Sequence, residues 1–201
     1  MDAAELLETM RTRRSIRRYE DRPISHDVLC RLLEAGRWGP SAHNRQPCRF
    51  AVITDPARRV DLAQAMGRRF QADLLAEGLP VEQVEAQVAR SIERISTAPA
   101  LILACLSMAE MDQYSDAVRQ QSEYLMAAQS VALAVQNILL MAHAEKLGAC
   151  WLCAPLFCPD VVRESLHLPA DWQAQALLTL GYPAEQRFKD REPFETKTLW
   201  Y

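Results

Sequence analysis

Residues 125–141 read LMAAQSVALAVQNILLM, and this run decides the architecture. It lies within residues 118–147, which predict the longest helix of the chain, about 45 Å at 1.5 Å per residue. Gly148 is placed to end it. Within the run, apolar side chains fall on nearly every face. A helix of that kind must be covered on all sides, and in a chain of 201 residues a second subunit is the expected source of cover. The run therefore predicts a dimer helix. Gln129, Gln136 and Asn137 interrupt it, which argues against a membrane span.

Working outward, residues 5–10 carry Leu6, Leu7 and Met10 at helical spacing, and that helix should stop near Arg13. Ser25 is a fitting N-cap for a second helix closing at Gly36. Residues 50–54 predict a short strand, and residues 57–66 and 70–76 two helical segments. Pro80 starts a helix whose stripe is Val81, Val84, Val88, Ile92 and Ile95, with Arg90, Glu93 and Arg94 mostly off it. Residues 100–106 read as a buried strand. Residues 149–152 and 176–180 read as further strands, separated by a helix after Pro159. Helices interspersed with short strands give an α+β helix–sheet sandwich. With no repeat or linker, residues 1–201 read as one domain. The polar tail, residues 184–201, has too little apolar content to fold alone but could wrap a partner subunit.

Hydrophobic residues make up 49% and charged residues 24% of the chain, a globular balance. The net charge of −3 gives no reason to expect nucleic acid or an anionic membrane as partner. The acidic start, Met1-Asp2-Ala3-Ala4-Glu5, does not resemble a signal peptide. The six cysteines are then expected as reduced thiols of a cytoplasmic protein.

Three segments carry chemistry. In Arg13-Arg14-Ser15-Ile16-Arg17, alternation puts Arg13, Ser15 and Arg17 on one face of an extended stretch. Two guanidinium forks and a hydroxyl suit a phosphate, although a solvated basic run fits the same residues. In the loop from Pro40 to Pro47, Ser41, Asn44 and Gln46 offer donors and acceptors between two fixed backbone points. They could read the edge of a flat ring or simply cap a surface loop. The third segment is Gly181-Tyr182-Pro183, followed by Arg191-Glu192-Pro193.

In order and spacing, these segments closely resemble the nitroreductase-like flavin family over almost the whole chain. The resemblance implies a homodimer with FMN at the subunit interface. It implies that Arg13, Arg14, Ser15, Arg17 and the late Arg191 (or Lys189) bind the cofactor, chiefly at its phosphate. Pro40 and Ser41 would lie against the flavin of the other subunit, with Asn44 and Gln46 shaping the ring pocket. The segment Leu152, Cys153, Ala154 would run beside the ring, where a backbone amide can meet flavin N5. One departure is Cys48, where the family usually carries tryptophan after Gln-Pro.

Residues 123–130, Gln136-Asn137 and residues 150–158 look most like the branch containing the reductase domain of deazaflavin coenzyme biosynthesis. A nitro- or quinone reductase is equally compatible. A flavin-cleaving enzyme of cobalamin lower-ligand synthesis, a non-catalytic FMN-binding or storage protein and a nucleic-acid adapter are the alternatives.

Cys150, Cys153 and Cys158 look at first like a metal or redox site. On a strand, however, Cys150 and Cys153 would face opposite ways, and the four histidines are too dispersed to help. No metal is expected. No Gly-x-Gly-x-x-Gly follows a strand, so NAD(P)H, if used, should be a transient reductant sharing one flavin face with a small-molecule acceptor. His43, Arg68, Arg69 and Phe70 are the candidates to touch substrate. No catalytic acid or base stands out, which suits flavin chemistry.

Overall fold

The structure, a computed structural model, describes residues 2–201. The chain runs through α1 (Ala3–Thr12), α2 (His26–Arg37), β1 (Cys48–Ile53), α3 (Pro56–Ala76), α4 (Val81–Ser96) and β2 (Ala100–Leu106). It continues through α5 (Ala117–Ala144), β3 (Gly148–Leu152), α6 (Pro159–Leu166) and β4 (Gln173–Gly181). The strands form one antiparallel sheet in the order β1-β2-β4-β3.

β2 is buried along its whole length, and the alternation of a strand divides its side chains between two cores. Ile102, Ala104 and Leu106 face α2 and α5, packing with Leu32, Val131 and Ile138. Leu101, Leu103 and Cys105 face α3, α4 and α6, packing with Leu62, Ile95 and Val162. The result is the expected α+β sandwich, with a helical layer on each side of the sheet.

Helix starts follow their caps. Asp2 and Glu5 form a reciprocal capping box on α1, Ser25 accepts from the Val28 N–H on α2, and Asp116 accepts from the Arg119 N–H at 2.9 Å on α5. Two expectations are corrected. Residues 57–66 and 70–76 belong to a single helix, α3, because Gly67 is a packing residue and not a break. A Cβ there would lie 2.7 Å from the Ile92 side chain, so its absence lets α3 and α4 close together. The long helix also ends earlier than expected, at Ala144. Lys146 takes the left-handed conformation (φ 63°), and the Leu147 N–H returns to the Ala142 carbonyl. Gly148 instead opens β3, where a Cβ would meet Ile16 at 2.7 Å.

By length and composition α5 could cross a membrane, but Ala127, Val131, Ala134, Val135, Ile138 and Ala142 are buried. Cover from within the chain is therefore one-sided. Leu125 and Leu133 remain 54% and 47% exposed, with Gln129 and Gln136 on the same open stripe. α1 buries no residue, leaving Leu6, Leu7 and Met10 half-open. In the tail, Phe188, Leu199, Trp200 and Tyr201 are exposed.

Candidate functional site

After α1 the chain runs along the free edge of β3. The Ile16 N–H donates to the Ala149 carbonyl at 3.0 Å, and Ser15 pairs with Ala149 as a parallel bridge. Farther on, Tyr19 Oη donates to the Ile16 carbonyl at 2.6 Å and lies 2.7 Å from Thr179 Oγ1. The Glu20 N–H bonds to Tyr182, and Ala184 returns the contact to Arg18. These ties bring the arginine segment against the residues that follow β4.

The groove they form encloses about 340 Å³, and Arg13, Arg14, His143, Lys146 and Arg187 line it. Its cations repel one another. Burial lowers the Arg13 pKa, and Arg191 and Arg14 lower it further. Burial likewise lowers that of His143, assisted by Lys146, Arg13 and Arg14. The Arg14 Nε is buried without a partner among the described residues. Such a concentration of positive charge and unused donors suits an anion. Arg14, which strict alternation puts on the opposite face from Arg13, lines the same groove, whereas Ser15, Arg17 and Arg191 do not line it. Arg187 also lines the groove, although the resemblance points past it to Arg191 or Lys189. Among the described residues that line the groove the one carboxylate is Glu185, which accepts from the Arg17 backbone N–H at 2.7 Å and from Arg187 Nη2 at 2.9 Å.

At the other end of β3, roughly 13 Å from Ala149 to Cys153 at 3.3 Å per residue, lies a second groove. It encloses about 360 Å³ between Trp151, Leu152, Cys153 and Ala154 on one side and Phe70 of α3 and Gln87, Arg90, Ser91 and Arg94 of α4 on the other. Cys153 caps a short 3-10 turn (Ala154–Phe157), in which the Leu156 N–H bonds the Cys153 carbonyl at 3.0 Å, Pro155 has no N–H and the Ala154 N–H has no partner within the turn. Arg94 is close enough to act on the buried Cys150 thiol. Burial raises the pKa of that thiol, and Arg17, Arg94, Arg187 and Arg13 oppose the rise. No individual α4 position stands out from the sequence, because polar residues off an apolar stripe look alike whether they face a groove or water.

Phe70 lines this groove, but Arg68 and Arg69 do not join it. They line a separate groove beside α6, and Arg69 pairs with Asp160 at 2.6 Å. Successive helix residues point in different directions, so Phe70 and Arg69 diverge.

The loop lies elsewhere in the chain. Its Ala42 N–H donates to Ser130 Oγ at 3.2 Å, which anchors it over the middle of α5. Ser41 Oγ accepts from the Gln46 N–H at 3.1 Å, and His43, Asn44 and Gln46 all have positive φ. Thirteen residues separate Ser130 from His143 of the arginine groove, about 20 Å along the helix. Within one chain, then, Pro40, Ser41, His43, Asn44 and Gln46 do not converge with Arg13, Ser15 and Arg17.

All six cysteines are free thiols. Cys150 and Cys158 are buried while Cys153 is exposed just past the strand end, and no group of residues suited to a metal occurs among the described residues. At the departure from the family pattern, Cys48 is half-buried, its pKa pushed up to about 11 by burial.

The sequence model of the nitroreductase family matches residues 10–182. The chain belongs to the nitroreductase family. Among similar curated proteins is a 5,6-dimethylbenzimidazole synthase of Rhodospirillum rubrum, 31% identical over 174 residues, covering 87% of this chain and 80% of that one. An NADH dehydrogenase of Thermus thermophilus is 30% identical over 190 residues, covering 94% and 92%. Among solved structures, one described as a nitroreductase of Desulfovibrio desulfuricans in complex with FMN superposes with a TM-score of 0.74. It is 30% identical, with 98% of this chain and 96% of that one covered. In this nitroreductase-family chain, the two grooves at the ends of β3 are the candidate site.

Proposed function

We propose that this chain is an FMN-dependent oxidoreductase acting as a homodimer. Its reductant is NAD(P)H and its acceptor a conjugated small molecule of the nitro, quinone or dehydro-deazaflavin type. The observation that carries the reading is the pairing of an arginine-lined anion groove and a polar, ring-sized groove at opposite ends of one edge strand. Arg13, Arg14 and Arg187, which line the first groove, would hold the phosphate, with Ser15, Arg17 and Arg191 completing the site around it. Leu152, Cys153 and Ala154 would lie along the flavin, with Arg94 offering positive charge where electrons accumulate and Ser91 a hydrogen bond. The bound flavin supplies hydride transfer at N5.

The loop accounts for the dimer. Because it lies about 20 Å along α5 from the arginine groove, Pro40, Ser41, Asn44 and Gln46 would reach the flavin of a second subunit. Leu125 and Leu133 would be buried by the same association, and the exposed aromatics of the tail by wrapping it. His43 would then approach substrate from the partner.

Purified protein should be yellow and should oxidise NAD(P)H with a quinone. Parallel double-reciprocal lines are expected, since one flavin face serves donor and acceptor in turn. Bound FMN without turnover would favour the storage reading. A second reading, flavin cleavage, is supported by the 31% identity to a 5,6-dimethylbenzimidazole synthase. Formation of that base from reduced FMN and oxygen would select it.

A further inference from the structure

The groove between α4 and the end of β3 holds more cationic capacity than a flavin ring needs. Arg90 and Arg94 both line it, one helical turn apart, and like charges at that spacing repel. The Arg90 and Arg94 side chains have no ion pair or hydrogen bond among the described residues, and none of the residues lining the groove is acidic. The two arginines are not equivalent. Arg94 acts on the Cys150 thiol, which places it toward the strand. Arg90 lies about 6 Å up the helix axis, level with the side of the groove that Gln87 and the half-buried Phe70 complete.

We infer that Phe70, Gln87 and Arg90 form an acceptor subsite for a planar aromatic compound bearing a carboxylate, sulfonate or phosphate. This rests on the flavin reading above, which assigns Arg94 and the turn after β3 to the cofactor. Phe70 offers a stacking face. Arg90 offers a fork for paired hydrogen bonds to an oxyanion, and Gln87 an amide beside it. The paired Arg69 faces α6 and has no part in this subsite.

The test compares two acceptors that share a ring system and differ in charge, 2-methyl-1,4-naphthoquinone and 1,4-naphthoquinone-2-sulfonate, with NAD(P)H as reductant. In Arg90→Ala, the ratio of kcat/KM for the sulfonate to that for the neutral quinone should fall about tenfold, a factor within reach of one charged hydrogen bond. Arg90→Lys should recover part of it. Binding is read independently as quenching of tryptophan fluorescence by the sulfonate, since Trp151 lines the groove, and Arg90→Ala should weaken that quenching by the same factor.

An unchanged ratio with unchanged quenching would overturn the inference. A rise confined to the KM for NAD(P)H would also overturn it, by assigning Arg90 to the phosphates of the reductant. Loss of FMN from the variant would assign Arg90 to the cofactor instead. If the unaltered protein fails to turn over either quinone, the oxidoreductase reading fails, while Arg90-dependent quenching by the sulfonate would still uphold the subsite.

Discussion

Glu185 Oε1 accepts a hydrogen bond from the Arg17 backbone N–H at 2.7 Å, joining residues 168 positions apart. Its other oxygen takes Arg187 Nη2 at 2.9 Å. A carboxylate thus sits among the arginines where we place a phosphate. It ties the start of the tail to the segment after α1.

That pairing has a pH signature. The hydrogen bond from Arg187, with those from the Arg17 and Arg18 backbone, holds the Glu185 carboxyl below its usual range. A pKa lowered by folding stabilises the folded state above the unfolded value, and the gain fades as pH falls through the folded one. Limited proteolysis should therefore release the tail more readily at acidic pH than at neutrality, and Glu185→Ala should already show the acidic pattern at pH 7. Equal cleavage of the two proteins at neutral pH would leave the tie without consequence.

The thiols should divide by burial. Cys30 and Cys153 are exposed and should react first with a disulfide reagent. Burial pushes Cys105 up to about 12 and Cys48 up to about 11, so both should lag with Cys150 and Cys158. If the flavin lies along Leu152–Ala154, saturating FMN should slow Cys153 alone. Mass mapping of the labelled peptides reads this directly, and FMN protection of Cys30 instead would misplace the ring.

Gly148 sets how closely the arginine segment approaches the sheet. In Gly148→Ala the new methyl would fall 2.7 Å from Ile16, and overpacking of this kind costs about 1–3 kcal/mol. A lower Tm together with weaker FMN binding is expected, because the displaced segment carries Ser15 and Arg17. Weaker stability with unaltered FMN affinity would separate Ile16 from the site.

The exposed stripe on α5 ties assembly to the cofactor. Leu133→Asp places a charge on a surface that we assign to the partner, where burying it unpaired is costly. Sedimentation should show monomers, and FMN should be lost with the dimer. A monomer that retains FMN at full affinity would mean that one chain holds a complete site.

Elements with a strong period were legible from sequence. β2 was readable because both of its faces are apolar, α5 from its length, α1 from Leu6, Leu7 and Met10 at helical spacing, and α2 from Ser25 at its start. The arginine segment stood out in the sequence, but its alternation did not sort the side chains, since Arg13 and Arg14 line the groove while Ser15 and Arg17 do not. Glycine was the weak point, since Gly67 and Gly148 serve close packing rather than punctuation, a distinction only the neighbours Ile92 and Ile16 reveal. Arg90 and Arg94 were hidden for a related reason. On an amphipathic helix an arginine facing a groove and one facing water occupy the same part of the pattern, and only the approach of Phe70 and β3 separates them.

The central claim is that each flavin site is built from the arginine segment of one subunit and the loop of the other. Subunit mixing tests it most directly. Arg17→Ala and the double variant Ser41→Ala, Asn44→Ala should each bind FMN poorly as homodimers, the arginine variant by ~1.5–3 kcal/mol. Unfolded together and refolded at equal concentration, they should regain high-affinity FMN at about one site in four, since half the dimers are mixed and each mixed dimer carries one intact site. Recovery at that level, titrated by flavin fluorescence, is the predicted result. No recovery from two well-folded variants would contradict a site shared between subunits.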